Sequence, residues 1–524
     1  MRTIALCVVS AVLAVGALAQ PVPRIVQKDG KYTLLVDDRP YIVLGAQLHN
    51  SSGWPSALEE AWPQLKQLNV NTAEVPVYWE TIEPQPGQYS FDLVDEILRG
   101  ARQNHLRLVL LWFGTWKNGQ MDYAPPWVKQ DLAKFPRMIG PAGKPVRVLS
   151  PHSKATLDSD RSAFTRLMEH LAQVDKVQHT VIMVQVENEP GSLDTMRDYS
   201  EESNKLFAGP APSALVSALK KKPGTWSEVF GADAEETFAA YHVASYVNEV
   251  AAAGKKVNPL PLYVNVWLRE GKGFMRPGEG YPSGGATSNM LDIWKAVTPA
   301  IDVIAPDIYV ADYAGYREVC QSYKRPDNPL LIPETGGATA FSRYMFYALG
   351  EFDALGFAPF GVDRSGKQLD PSWADMAANF RLLAPALPAI AELQGTGRLK
   401  AAVEEMYLTN RHLVFDRYEA VAYFGSLQSG YGGTSASGTQ NRTGRVLIGQ
   451  LAPDEFLIAG FDASVVFRPR AGSKNAQSQF LSVEEGTFEE GKWKATRLWN
   501  GDQTFFYLGM PATGTILRAK LMGY

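Results

Sequence analysis

Cysteine is nearly absent from this sequence, with two residues in 524. Cys7 falls in an N-terminal stretch that reads as a leader, which leaves Cys320 alone and excludes an intrachain disulfide framework. Charge bias is absent as well. The formal net charge of −4 gives no electrostatic case for nucleic acid or an anionic membrane as the main partner. Past the leader no apolar run reaches the length of a membrane span. No G-x-G-x-x-G or G-x-x-x-x-G-K-[ST] pattern opens a helix, so nucleotide binding has no support. No His/Cys/Asp/Glu cluster has ligand spacing, so neither a metal nor another cofactor is expected.

Aromatic residues are plentiful: 12 Trp, 22 Tyr and 23 Phe. They fill cores first, though their faces also suit the C–H faces of sugars. The leader, MRTIALCVVSAVLAVGALAQ, has a positive n-region in Arg2, an apolar h-region from Ile4 to about Val15, and small residues at Ala17 and Ala19. This is the pattern of a secretory signal, with cleavage expected after Ala19 and an exported, periplasmic or extracellular product free of the membrane. Asn50-Ser51-Ser52 and Asn441-Arg442-Thr443 match the N-glycosylation pattern, which is short and carries little information.

From about residue 40 to 395, short apolar runs alternate with helical patterns. The strands are read in YIVLGAQLHN, NTAEVPVYWE, LRLVLLWFGTW, TVIMVQVENE, PLYVNVWL, IDVIAPDIYV, PLLIPETGG and GFAPFGVD. Between the first two, Leu58, Trp62, Leu65 and Leu68 share a helix face, and Ser56 with Glu59 has the spacing of a capping box. Eight such units predict a (β/α)8 barrel over residues 20–395, with a doubly wound open sheet as the alternative. After Gly395 short β-rich segments broken by Gly, Pro and Asp predict an all-β, sandwich-like domain over 396–524, with a surface loop at 428–444.

In a barrel the chemistry sits at the C-terminal strand ends. Those ends offer His49 and Asn50, Trp79 and Glu80, Trp112, Trp116 and Lys117, Asn188 and Glu189, Asn265 and Trp267, Asp307 and Tyr309, Glu334, and Phe360. Two carboxylates facing each other across an aromatic, amide-lined bowl suit glycoside hydrolysis, in which one protonates the leaving oxygen and the other acts on the opposite sugar face. Glu187, one residue before Asn188, is expected to point away and pair with a base of the barrel wall. Glu83 is expected to hold its loop.

VENEPG on strand four and PETGG on strand seven resemble the retaining (β/α)8 glycosidases. VPVYWETIEPQPGQYSFD, residues 75–92, resembles a segment of the β-galactosidases of glycoside hydrolase families 35 and 42, and LLWFGTWKNG is similar to a bacterial branch of family 35 with a C-terminal β-domain. The resemblance implies Glu189 as acid/base and Glu334 as nucleophile. It implies that Asn188 bonds the sugar 2-hydroxyl and that Tyr309 holds Glu334. Asn50, Trp116, Lys117, Trp267 and Phe360 are the further candidates for contact with a carbohydrate substrate. Phe360 stands where many relatives have Trp, and WFGTWKNG replaces a Cys-Ala-Glu-like segment. The expected activity is an exported exo-β-galactosidase on plant-type galactosides. The alternatives are a β-glycosidase of other specificity and a non-catalytic sugar-binding protein. Oligomeric state is not legible in the sequence.

Overall fold

The computed structural model describes residues 21–271, 275–364, 366–405, 410–424 and 443–524. The leader and the Asn441 sequon lie outside the described residues, as does most of the 428–444 loop. Among the described residues no helix is long and apolar enough to cross a membrane.

Eight parallel strands form the central sheet: β1 Val43–Gln47, β2 Thr72–Tyr78, β3 Arg107–Lys117, β4 Val181–Asn188, β5 Leu262–Trp267, β6 Val303–Ile308, β7 Glu334–Thr335 and β8 Gly356–Phe357. Strands β1 to β7 follow one another around the sheet, and β8 pairs with β1 on the far side. The seam between β7 and β8 closes through Ile332 N–H to Gly356 O (3.2 Å), Ala358 N–H to Ile332 O (2.9 Å) and Phe360 N–H to Thr335 O (2.9 Å). The sheet is therefore a closed (β/α)8 barrel, not the open doubly wound alternative.

Strand β3 shows why these runs are apolar on both faces. Leu108, Leu110 and Trp112 join the core shared with the helices, while Val109, Leu111 and Phe113 join the separate core inside the barrel. Both faces of the strand are dry, as a parallel sheet wrapped in helices requires. The lower end of the bore is plugged by a feature the sequence reading missed. A three-stranded antiparallel sheet of Arg24–Lys28, Lys31–Val36 and Arg39–Pro40 inserts Leu34 and Val36 among Val43, Val303 and Leu355.

Helix α1, Pro55–Leu68, buries Leu58, Ala61, Leu65 and Leu68, but its start departs from expectation. The Ser56–Glu59 capping box does not form. The N-cap is Trp54, with no side-chain cap, and Pro55 takes the first helical turn, where its missing N–H costs nothing and its fixed φ suits the helix. Helix α2, Asp92–Gln103, buries Val94, Ile97, Leu98 and Ala101 at the spacing of a single face.

Among the described residues the C-terminal part forms two antiparallel sheets, of six and four strands, around an apolar core that includes Phe456, Ile458, Val465 and Leu517. The strand Leu399–Val403 of the larger sheet lies against helix α3, Tyr344–Gly350, which connects β7 to β8. At Gly350 an added Cβ would come within 2.4 Å of Leu447 Cδ1 and 2.8 Å of Ala401 Cβ, so the two units touch at backbone distance there. Buried Arg445 completes the junction by donating to Asn379 Oδ1 (2.6 Å), while Asn379 Nδ2 donates to Ser342 O (2.7 Å).

Candidate active site

The end of β4 is held in an unusual backbone path. Glu187 and Glu189 both have positive φ, 62° and 46°, a left-handed conformation that is uncommon for Glu and persists only where the surroundings fix it. Here they do. The Glu189 N–H donates to Asn265 Oδ1 (2.8 Å), and its carbonyl accepts from Gly119 N–H (3.0 Å). Next in the chain, Gly191 runs at φ 134° with Ser283 O only 2.6 Å from where a Cβ would sit, so the chain must leave the strand through glycine.

This path separates three consecutive polar side chains. Glu187 is fully buried and turns away from the cavity. Its Oε2 accepts from Trp116 N–H (2.7 Å), and Asp160 lies beside it. Among the described residues the expected basic partner is not found beside it. Burial and the Asp160 carboxylate push the Glu187 carboxyl well above the usual range, because a second acid, not a cation, shares its pocket. Asp160 is itself held by Trp112 Nε1 (2.9 Å) and the Thr115 hydroxyl (2.7 Å). Asn188 Oδ1 accepts from Lys117 Nζ (2.9 Å), and its buried Nδ2 has no partner among the described residues. Glu189 faces the cavity, where Asn118 Nδ2 donates to its Oε2 (2.6 Å).

Across the barrel, Glu334 on β7 accepts two hydrogen bonds, from Gln47 Nε2 (2.9 Å) and from the Tyr309 hydroxyl (2.8 Å). Burial and the Glu334 charge hold the Tyr309 phenol far above its ordinary range, so it remains a donor at any working pH. Asp307 on β6 completes the group. Glu189, Asp307 and Glu334 each place a carboxylate oxygen within 4.8 Å of the other two. The oxygens of Glu189 and Glu334 are engaged by amide and hydroxyl donors, an arrangement that keeps both carboxyls oriented toward the space between them.

That space is a cavity of about 460 Å³ lined by Asn118, Glu189, Trp267, Leu268, Glu270, Asp307, Tyr309 and Glu334, among others. It falls in the range of small-ligand pockets. The structure thus brings together Glu189, Glu334, Tyr309 and Trp267, with Asn188 and Lys117 directly behind Glu189.

Four candidates do not line the cavity: Trp116, Asn50, Phe360 and Lys117. Trp116 is 1% exposed and packs edge-on against Tyr246, so its ring cannot reach a sugar. It contributes its backbone N–H to Glu187 instead. Asn50 does not line the cavity. Strand β1 ends at Gln47, and the chain turns toward α1 through a Ser52 N–H to His49 O bond (3.0 Å), taking Asn50 with it. Phe360 sits edge-on to His49 and is not a cavity wall. Lys117 is buried and bonds Asn188, so it orients that amide from behind and does not face the cavity. Glu83 does hold its loop, accepting from Trp79 Nε1 (3.1 Å) and Gly87 N–H (2.8 Å).

Comparison with known proteins adds to this geometry. Residues 50–232 match the glycoside hydrolase family 42 model, described as Beta-galactosidase. The first half of the barrel is family-42-like. Residues 376–510 match a domain of unknown function, DUF5597. A β-galactosidase of Xanthomonas manihotis is 25% identical over 186 residues, which are 33% of this chain and 27% of that protein. The chain therefore spans about a quarter of the length of that relative. Among solved structures, β-galactosidase from the psychrophilic Marinomonas ef1 is 13% identical with a TM-score of 0.49, covering 66% of this chain and 61% of that one. β-Galactosidase from Bacillus circulans sp. alkalophilus is 14% identical with a TM-score of 0.49, covering 67% and 57%. The barrel assignment rests on the strand order and closure described above, not on these two likenesses.

Proposed function

We propose that the chain is an exported, retaining, exo-acting β-galactosidase that removes terminal β-galactosyl residues from plant-type oligo- and polysaccharides. The observation that carries the reading is the approach of Glu189 and Glu334 oxygens to within 4.8 Å across the cavity. Retaining glycosidases hold their two carboxyl groups about 5–5.5 Å apart, whereas inverting ones leave about 6.5–9.5 Å for a water. The family-42 match and the pocket-sized cavity support the same reading, and the leader pattern supports export.

In this reading Glu334 attacks the anomeric carbon while Glu189 gives its proton to the leaving oxygen. Water then attacks the glycosyl ester of Glu334, and Glu189 takes the proton of that water. Tyr309 and Gln47 hold the nucleophile in line before attack. Lys117 takes the Asn188 carbonyl oxygen, which leaves the unpartnered Asn188 Nδ2 to donate to the sugar 2-hydroxyl. Trp267 supplies an aromatic wall. No step calls on a cofactor.

The test is turnover of aryl β-galactoside, β-glucoside, β-xyloside and α-arabinoside by the wild type, Glu189→Ala and Glu334→Ala. The β-galactoside should be the best substrate, and a different leading sugar replaces the specificity while leaving the mechanism. Azide should give a β-azide product with Glu189→Ala and an α-azide with Glu334→Ala. Retention of near-wild-type rates by either variant would remove that residue from its role.

A further inference from the structure

Asp307 has no assigned part in the two-carboxylate scheme, yet it lies within 4.8 Å of both acids. Its Oδ2 accepts from Asn265 Nδ2 (2.7 Å), and the same amide accepts the Glu189 backbone N–H through Oδ1 (2.8 Å). One asparagine thus fixes Asp307 and Glu189 relative to each other. Asp307 Oδ1 is buried, and no donor reaches it among the described residues. A buried carboxylate oxygen without a donor, next to two other acids, is costly if ionised. The cost disappears if that oxygen carries the proton and is itself the donor. The Asp307 carboxyl is in hydrogen-bond contact with the Glu189 side chain, while Glu334 acts on it through its charge alone, which directs the Asp307 proton toward Glu189.

We propose that Asp307 is a positioning residue for Glu189: the two carboxyls share one proton in the resting protein, and the pair sets the pH at which the acid needed by the leaving group is lost. The inference rests on Glu189 being the acid/base. The groups facing Asp307 are Glu189, Glu334, the Lys117 ammonium and the phenols of Tyr263, Tyr309 and Tyr323. Burial first, then the charges of Glu334 and Glu189, push the Asp307 carboxyl well above the usual range, and Lys117 opposes them. Burial raises all three phenols, so they stay neutral. Two like charges this close resist simultaneous ionisation, so the shared proton is held to higher pH than Glu189 alone would hold it.

Asp307→Asn removes one carboxylate and keeps the shape. The basic limb of its kcat/KM profile on an aryl β-galactoside should move to lower pH by about one unit or more, the size of a coupled titration. Thermal denaturation should show a folded variant. A merely structural role would lower the rate at every pH and leave the limb in place, and that result overturns the proposal. A second readout needs no turnover. The infrared pH titration of the substrate-free protein should lose one protonated-carboxyl step in Asp307→Asn, and an unchanged titration overturns the pairing. Glu189→Gln, run in parallel on an activated aryl substrate, separates the two claims. If it keeps the wild-type basic limb, the acid/base reading of Glu189 fails. If it loses the limb while Asp307→Asn does not move it, only the pairing fails.

Discussion

Tyr309→Phe removes one oxygen from the site and leaves the ring. The wild-type hydroxyl donates to Glu334 Oε1 at 2.8 Å, and Gln47 Nε2 holds Oε2 at 2.9 Å. A hydrogen bond to a charged group is worth about 1.5–3 kcal/mol. Tyr309 as a whole residue is 48% exposed although its hydroxyl is turned in against Glu334, so water can partly replace the lost donor, and the lower part of that range applies, about 1.5–2 kcal/mol. Each ~1.4 kcal/mol is a factor of ten. The variant should therefore lose roughly tenfold to thirtyfold in kcat/KM on an aryl β-galactoside. In the proposed mechanism the bond orients the attacking carboxylate and is not a contact with the sugar, so the loss should appear mainly in kcat. Thermal denaturation should stay near wild type, since the tyrosine is at the cavity mouth. A change of less than twofold in kcat/KM would refute the claim that Tyr309 orients Glu334. A loss confined to KM would make Tyr309 a substrate contact instead.

Three further outcomes are expected. Asn118→Ala takes the 2.6 Å donor from Glu189 Oε2 and should lower kcat/KM by about ten- to a hundredfold with the fold intact by circular dichroism. Gly114→Ala places a Cβ 2.4 Å from Trp112 Nε1, 2.7 Å from Glu187 Oε1 and 2.8 Å from Asp160 Oδ1, and should cost about 1–3 kcal/mol in urea denaturation. Burial and the Glu334 charge hold the Glu74 carboxyl well above its ordinary 4.5. The folded state therefore keeps a proton that the unfolded state releases, and stability falls as pH rises from about 4.5. Glu74→Gln should raise the melting temperature at pH 7, and the gain should vanish at pH 4; an equal gain at both pH values would contradict the burial argument.

The strand run of the barrel was legible because β3 and β4 are apolar on both faces, and few folds bury a strand that way. Glu189 and Glu334 were legible because each ends such a run. What escaped was local. Gln47, which holds Glu334, sits two residues before His49, on the face that His49 would share if strand one ran on, but hydropathy does not say where a strand stops. Asn265 and Asp307 were visible at their strand ends without a role, because the bond between them depends on the spacing of β5 and β6. Asn118 follows the tryptophan and lysine that drew attention, and it reaches Glu189 only because the end of β3 bulges. Trp116 is a candidate substrate contact by its place at a strand end, and what removes it from the cavity is its packing against Tyr246, distant in sequence.

The seam of the barrel has a consequence for how the molecule can be divided. Strands β7 and β8 are two residues long each, and four backbone hydrogen bonds join the segments that carry them, Leu355 N–H to Leu330 O (2.8 Å) besides the three given above, one of which is accepted by Thr335 immediately after Glu334. The helix that spans this join rests on Leu447 and Ala401 of the C-terminal sheet. The β-domain thus works as a buttress behind the weakest stave of the barrel, and that stave carries Glu334. A fragment cut at residue 395 would keep every side chain of the cavity and lose the support that holds one of them in place.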